Sequence, residues 1–463
     1  MVQDSSTARL AALLRDRTRR MRPGERLPTT RELIGQHRVS PVTVSRALAE
    51  LAAQGVVITR PGSGTFVADR HQRGPATRDL SWQTAALSDR TIDATSVEYL
   101  LQAPVTGTIA LSGGYPHPSL LPTRAIAAAL ARAARRPDAT DRPPLDGIAP
   151  LRAWFARTVG ATAHDVLITD GGQSALSVTL RAIAPAGTAM LVESPTYIGA
   201  LAIARGARVR PVPVPVDGHG VRPDVLADTF AATGARLFYC QPTFQNPTGT
   251  VLGADRRGEL IDVARSAGAF VIEDDYARQL AHDGPPPPPL FCDDQDGHVV
   301  HIASLTKPTS PNLRVGAIIA RGPIAERLHA LHLVDSFFVP RMLQEAALEL
   351  VSAPAWPRHL QTLSAALTHR RDALCRALAG DVPSARLTRR PAGGLNAWVQ
   401  LPDGVIDLAV AARAKEAGVL VNPGRPFFAA EPPGAFLRLS YAASASTAEL
   451  LEGVRRLGSV LPG

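Results

Sequence analysis

Between residues 10 and 67 the apolar positions obey two periodicities in turn. Leu10 to Met21 reads as a basic helix closed by the Pro23-Gly24 turn. Thr29 and Glu32 stand at capping-box spacing and predict a short second helix with Leu33 and Ile34 turned inward. After a turn at His37-Arg38-Val39, Ser40 is a good N-cap and Pro41 suits the first helical position, where its missing N–H costs nothing. Val44, Leu48 and Leu51 then share one face of a third helix that Gly55 ends. Val56–Arg60 and Thr65–Val67 follow as two short strands around Pro61-Gly62-Ser63-Gly64. From about Asp69 to Pro104 periodicity fades, which predicts a linker with some local order at Trp82 and Val97–Leu101. Beyond it, strand-like and helical runs alternate: Val166–Thr169, Gln173–Ala184, Met190–Glu193, a helix to Arg205 and Arg208–Val214. Asp224–Thr233, Arg236–Cys240, Asp255–Ala267, Phe270–Glu273 and Val299–Ala303 continue the pattern. Such alternation predicts an α/β unit with a mostly parallel sheet, whose ligands sit at the C-terminal ends of its strands.

The expected organisation is therefore a mainly α winged helix-turn-helix over 1–69, a linker over 70–104, and a large α/β unit over 105–463. A small C-terminal α/β subdomain is expected from about residue 330. Composition changes this picture in three places. Residues 1–69 hold eleven arginines against six acids and so supply five of the nine net positive charges, which favours a polyanionic partner. Cys240, Cys292 and Cys375 are far apart, which argues against a disulfide framework or a zinc site and for a reducing cytoplasm. No apolar run reaches the roughly 18 residues of a membrane span, and the arginine-rich start lacks the apolar core of a secretory signal.

Lysine usage changes the picture further: only Lys307 and Lys415 occur, against forty-eight arginines. Arginine replaces lysine for charge or phosphate binding, but it cannot condense with an aldehyde. Lys415, beside Glu416 on an amphipathic helix, reads as a chance survivor; Lys307, in Ser304-Leu305-Thr306-Lys307 with Arg314 following, reads as chemistry. Thr169-Asp170-Gly171-Gly172-Gln173 joins a strand to a helix, where backbone N–H groups favour an anion. Tyr197 ends the next strand and suits stacking on a flat heteroaromatic ring. Asn246 sits on the proline-framed loop Gln241–Gly249, and Glu273-Asp274-Asp275-Tyr276 gathers carboxylates that want a cation. An acidic pair alone could mean a divalent metal. Together, at successive strand ends, these phrases fit one ligand: pyridoxal phosphate. No metal is expected.

Two resemblances follow from these phrases. The first seventy residues resemble the GntR family of bacterial regulators through Leu27-Pro28-x-x-Arg31-Glu32-Leu33 and Gly62-Ser63-Gly64-Thr65-Phe66-Val67. That likeness implies that Arg31, Thr43, Ser45, Arg46 and Gly62 contact double-stranded DNA, with Arg60 as a departure on the wing. From about Ser112 onward the chain resembles the fold-type I aminotransferases, early phrases such as Gly113-Gly114-Tyr115-Pro116 and Asp146-Gly147-(x3)-Leu151-Arg152 included. By this likeness Lys307 forms the internal aldimine, Asp274 pairs with the pyridine nitrogen, and Asn246 and Tyr276 bond the phenolic oxygen. Tyr197 stacks on the ring, while Gly171, Gly172, Gln173, Ser304, Thr306 and Arg314 hold the phosphate. Arg438, in Phe436-Leu437-Arg438-Leu439-Ser440-Tyr441, matches the arginine that clamps a substrate carboxylate. Both halves in this order resemble MocR-type regulators. The likeness implies a homodimer, an operator, and an amine or amino-acid effector, or pyridoxal phosphate itself, at Lys307. The rival is an active aminotransferase carrying an appended DNA-binding module.

Overall fold

The computed structural model describes residues 6–19, 21–60, 63–68, 80–87, 97–98, 101–102 and 107–461. The chain divides into two units, Met1–Thr91 and Ile92–Gly463. In the first, α1 (Ser6–Arg19), α2 (Thr30–His37) and α3 (Pro41–Ala53) pack over Leu10, Leu14, Leu33, Val44 and Leu51. The predicted caps form. Thr29 accepts from the Glu32 N–H while Glu32 returns a bond to the Thr29 N–H, and Ser40 accepts from the Thr43 N–H. Arg38 closes α2 in the left-handed region at φ 49°. β1 (Val57–Arg60) and β2 (Gly64–Val67) pair antiparallel from Val57↔Val67 to Arg60↔Gly64. A short α4 (Ser81–Ala86) falls within the stretch read as linker. Most of that stretch, and Gly62, lie outside the described residues.

The larger unit opens with β3 (Ile109–Ala110) and builds an eight-stranded sheet. Its strands are β4 (Val166–Thr169), β5 (Ala189–Ser194), β6 (Arg210–Asp217), β7 (Gly220–Val221), β8 (Leu237–Cys240), β9 (Phe270–Asp275), β10 (Val299–Ser304) and β11 (Gly316–Ile319). Their order is β4-β11-β10-β9-β8-β5-β6-β7, and only β11 and β7 run antiparallel to their neighbours. Helices cover both faces, which is why the strands read as nearly unbroken apolar runs. Val166 and Ile168 enter one core cluster while Leu167 enters the other, and Phe238 and Tyr239 divide in the same way.

A second, smaller sheet has the order β12 (Arg386–Leu387), β13 (Asn396–Gln400), β16 (Phe436–Ser440), β15 (Asn422–Pro423). Helices Trp356–Asp381, Asp407–Glu416 and Thr447–Gly458 pack on it around Leu367, Val410 and Leu450. The core of this layer begins at Leu363 rather than near residue 330, because helix Arg341–Ser352 sends Ala346, Ala347 and Leu350 into the core of the large sheet. It also borrows from the N-terminal side: Ile109 pairs in parallel with Val419 of β14 (Val419–Leu420). Strands β4, β5, β8, β9 and β10 share one direction, so the segments that follow them gather along one edge of the sheet.

Candidate functional site

At that edge lies a cavity of about 250 Å³. Gly172 and Gln173 face it from the helix after β4, Tyr197 from the end of β5, and Asn246 from the loop after β8. Asp274 and Tyr276 come from β9, Ser304, Thr306 and Lys307 from the end of β10, Arg314 from the approach to β11, and Arg438 from β16. Gly171 stands just behind: its φ of +84° suits glycine, and a Cβ there would lie 3.2 Å from the Arg314 guanidinium. Every candidate cofactor residue read from the sequence is thus at one place or directly against it.

The anion end is built from a helix start and a cation. Helix Gly172–Ile183 begins at this point, so its first N–H groups open toward the site. Arg314, itself at φ 50°, is held by its Nη2 donating to the Asp170 carbonyl at 2.5 Å. No carboxylate among the described residues pairs with it. Ser304 and Thr306 hydroxyls lie 3.0 Å apart beside it, and the Tyr197 hydroxyl donates to Gln173 Oε1 at 3.0 Å.

The far end is acidic. Asp274 is buried and accepts from the Tyr239 hydroxyl at 2.7 Å and from Gln241 Nε2 at 2.8 Å, both on Oδ2. Burial pushes its carboxyl upward, and these two bonds pull it back. Its neighbours in sequence have other partners. Glu273 accepts from the Leu290 and Phe291 N–H groups and bonds His301 Nδ1 at 2.9 Å. Asp275 pairs with Arg278. Three adjacent carboxylates therefore serve three environments and do not form a metal-binding group.

Gln241 was not singled out from the sequence, although its phrase was. Its Oε1 accepts the Asn246 N–H at 3.0 Å, so one side chain ties the Asp274 end to the Asn246 loop. Gln245 fastens the same loop to β5, donating to Pro195 O at 2.6 Å and accepting from Thr248. Tyr276 donates to the Phe244 carbonyl at 2.9 Å.

Lys307 reaches into the middle. Its Nζ donates to the Gly114 carbonyl at 2.8 Å and stands 3.9 Å from the centre of the Tyr115 ring. Burial, with Arg438 and Arg314, pushes its amine down to about 7, while Asp274 pulls it up. Arg438 is buried and donates to Ser112 O at 2.6 Å, Asn422 Oδ1 at 2.8 Å and Asn246 Oδ1 at 3.3 Å. Its Nε has no partner among the described residues, and burial lowers it to about 10. A buried guanidinium held only by neutral oxygens is prepared for an anion.

Taken together these groups fit a phosphate ester with an aldehyde and a basic ring nitrogen: cation and helix start at one end, carboxylate at the other, a deprotonatable amine between. A second guanidinium, bonded only to neutral oxygens among the described residues, is ready for a carboxylate. The sequence reading missed Gln241, Tyr239, Tyr115 and Asn396. An amide inside the apolar strand run Leu395-Asn396-Ala397-Trp398 was the available signal for the last of these. Val97 and Leu101, in the stretch read as linker, also line the cavity.

In the smaller unit Arg31, Ser45 and Arg46 are exposed and Thr43 is placed with its hydroxyl 2.9 Å from Ser40 Oγ. Neither Arg31 nor Arg46 pairs with a carboxylate among the described residues, which leaves both charges to solvent or to a polyanion. Arg60 lies 5.2 Å from the Phe66 ring centre on the wing.

Comparison with known proteins places both units. The aminotransferase class I and II family matches residues 111–457, and the bacterial regulatory proteins of the gntR family match residues 7–67. The chain is 33% identical to the 2-aminoadipate transaminase of Thermus thermophilus over 83% of its own length and 98% of that protein. It is 27% identical to the uncharacterized HTH-type transcriptional regulator YdfD of Bacillus subtilis strain 168, over 95% and 92%. Among solved structures it is similar to LysN, the alpha-aminoadipate aminotransferase of Thermus thermophilus complexed with N-(5'-phosphopyridoxyl)-L-leucine. The TM-score is 0.77 at 32% identity, covering 82% of this chain and 98% of that one. The chain belongs to the aminotransferase class I and II family and carries a GntR-family DNA-binding domain ahead of it, the architecture of the MocR-type regulators.

Proposed function

We propose that the protein is a DNA-binding transcriptional regulator whose large unit holds pyridoxal phosphate and senses an amine or amino-acid effector at Lys307. The observation that carries this reading is the union, in one chain, of a GntR-type reader with an aminotransferase-family unit whose cavity is lined by Lys307, Asp274, Arg314 and Arg438. Gly171, Gly172, Gln173, Ser304, Thr306 and Arg314 take the phosphate, and Asp274 takes the ring nitrogen. Asn246 and Tyr276 take the phenolic oxygen, and Tyr197 covers the ring. Lys307 is the attachment amine, and Arg438 takes the effector carboxylate. When bound, the cofactor supplies an aldehyde carbon for amine exchange and an electron sink. Arg31, Thr43, Ser45, Arg46 and Gly62 contact operator DNA, two copies of the chain acting as a homodimer on two half-sites.

A ligand acts as a switch only by its difference in affinity between two states, a coupling typically worth about 5- to 150-fold. Operator binding by the full chain, measured with and without pyridoxal phosphate and with a panel of amines, tests this. A change within that range supports the reading, and identical binding under every condition rejects ligand control. Transamination stands beside it as a second reading. Asn246 within Asn-Pro-Thr-Gly, the Lys307 amine near 7 and Arg438, whose Nε has no partner among the described residues, together keep the groups that turnover would use. Keto-acid release from an amino-acid panel decides it.

A further inference from the structure

The charged groups that line the cavity are Lys307, Asp274, Arg314 and Arg438. Under the reading proposed above, each has an assigned partner: the cofactor's aldehyde carbon, ring nitrogen and phosphate, and one effector carboxylate. Nothing charged remains in the described lining. What is left for the effector's side chain is uncharged and includes Val97, Leu101, Tyr115, Leu395 and the amide of Asn396.

Asn396 is not an ordinary wall residue. It is only 6% exposed, and its Oδ1 has no hydrogen-bond partner among the described residues. Its place in the small sheet is fixed by register, with Asn396 opposite Ser440 and Trp398 opposite Arg438 on the antiparallel pair β13–β16. Alternate residues of a strand share a face, so Asn396 and Arg438 are diagonal neighbours on the face that meets the cavity. That face therefore carries two buried unpartnered polar groups, the Arg438 Nε donor and the Asn396 Oδ1 acceptor. Buried polar atoms are normally paired, so both point to a ligand. Val97 adds an apolar wall, being packed against the cluster of Ile198, Trp398, Phe427, Phe428 and Phe436.

We infer that the effector is an α-amino acid with an uncharged side chain, its carboxylate on Arg438 and its side chain read by Val97, Leu101 and Asn396. A second carboxylate or an ammonium on that side chain would be desolvated against apolar carbon and a neutral amide, with no opposite charge to meet it. A side-chain N–H or O–H would find the Asn396 oxygen. This inference rests on the sensor reading above, and the experiment separates the two.

The full chain loaded with pyridoxal phosphate is titrated with leucine, glutamine, glutamate, 2-aminoadipate and butylamine, and the change in cofactor absorbance is followed. Leucine and glutamine are expected to bind at least about tenfold tighter than glutamate and 2-aminoadipate, because the latter bury an unpaired charge. Butylamine, lacking a carboxylate for Arg438, is expected to bind more weakly than leucine. Leu101→Arg places a cation beside the cavity at a residue that is 63% exposed, and should raise glutamate affinity relative to leucine. Asn396→Leu should weaken glutamine while leaving leucine within about twofold, as expected when a hydrogen bond rather than apolar contact is lost. Glutamate or 2-aminoadipate binding as tightly as leucine and glutamine overturns the inference. Equal losses for glutamine and leucine in Asn396→Leu remove Asn396 from it. A response to butylamine alone also overturns the inference, while an absorbance that answers neither to any amino acid nor to butylamine, with the cofactor still bound, rejects the sensor reading instead.

Discussion

Burial, together with Arg438 and Arg314, brings the Lys307 amine down to about 7 against the opposite pull of Asp274. Only the neutral amine can add to a carbonyl, so the cofactor-free protein should capture pyridoxal phosphate at a rate that depends on pH. The sign follows from the depressed pKa. Below about 7 the reactive fraction falls roughly tenfold per unit, and above it the rate levels off, whereas an unperturbed lysine would go on gaining toward about 10.4. Stopped-flow absorbance across pH 5 to 9 checks this, and a rate still climbing steeply at the alkaline end would contradict it. In Arg438→Leu the break should move upward, since a cation that depresses the amine has been removed. Gln241 acts at the same scale but on the other end of the site. It donates to Asp274 at 2.8 Å and accepts from the Asn246 N–H at 3.0 Å. A buried hydrogen bond to a charged group is worth about 1.5–3 kcal/mol, so Gln241→Leu should weaken cofactor affinity about ten- to hundredfold. Equilibrium titration of the variant with cofactor measures that loss, and unchanged affinity would show that the amide only fills space.

Elements explain why those residues meet. The Glu273-Asp274-Asp275 phrase looks like one acidic cluster on paper, but in β9 successive side chains leave opposite faces of the sheet, and each carboxylate finds its own partner. The strand ends were legible in the sequence because unbroken apolar runs stop where glycine, proline or polar residues begin. Val166–Thr169 was placed to the residue, and β5, β8, β9 and β10 to within two at either end. Asn396 stands out as an amide in an apolar strand run, but its place beside Arg438 depends on cross-strand register, which no local pattern records; Val97 depends on how a stretch of weak periodicity packs. The start of the small layer was missed for a similar reason: helix Arg341–Ser352 is amphipathic either way, and only packing shows which core it joins. The second and third helices of the reader were legible because their caps are written in the sequence, whereas α1, read from Leu10 to Met21 without a cap, runs from Ser6 to Arg19. Ser40 accepts the Thr43 N–H at 3.1 Å at the start of α3, so Ser40→Ala should cost about 1 kcal/mol. For a unit of this size that is a fall in melting temperature of about 4–8 °C. Calorimetry of the full chain tests it on the transition that operator DNA shifts upward, and an unmoved transition would mean that the cap contributes nothing.

At the scale of the whole molecule, a DNA reader and a small-molecule cavity share one chain, and neither unit alone accounts for regulation. Linkage constrains how the two can communicate. If an amino-acid effector changes operator affinity by some factor, operator DNA must change effector affinity by that same factor. This reciprocity holds for binding free energies whatever the path of communication through the residues between the units. It is therefore a sharper test than the observation that an effector alters transcription. The expected result is a factor between about 5 and 150, measured once as the ratio of operator dissociation constants with and without saturating effector. The same factor should appear in the ratio of effector dissociation constants, read from cofactor absorbance, with and without saturating operator. Arg438→Leu should reduce the coupling together with effector affinity, because a ligand that loses its anchor loses the means to favour one state. Arg46→Gln should weaken operator binding but leave effector affinity in the absence of DNA unchanged, since Arg46 is exposed on the reader. Unequal factors measured at equilibrium would show that the effector and operator experiments report on different species. Two equal factors of one would leave a DNA-binding protein and a cofactor site joined without communication, and the transaminase reading would then carry the large unit's function.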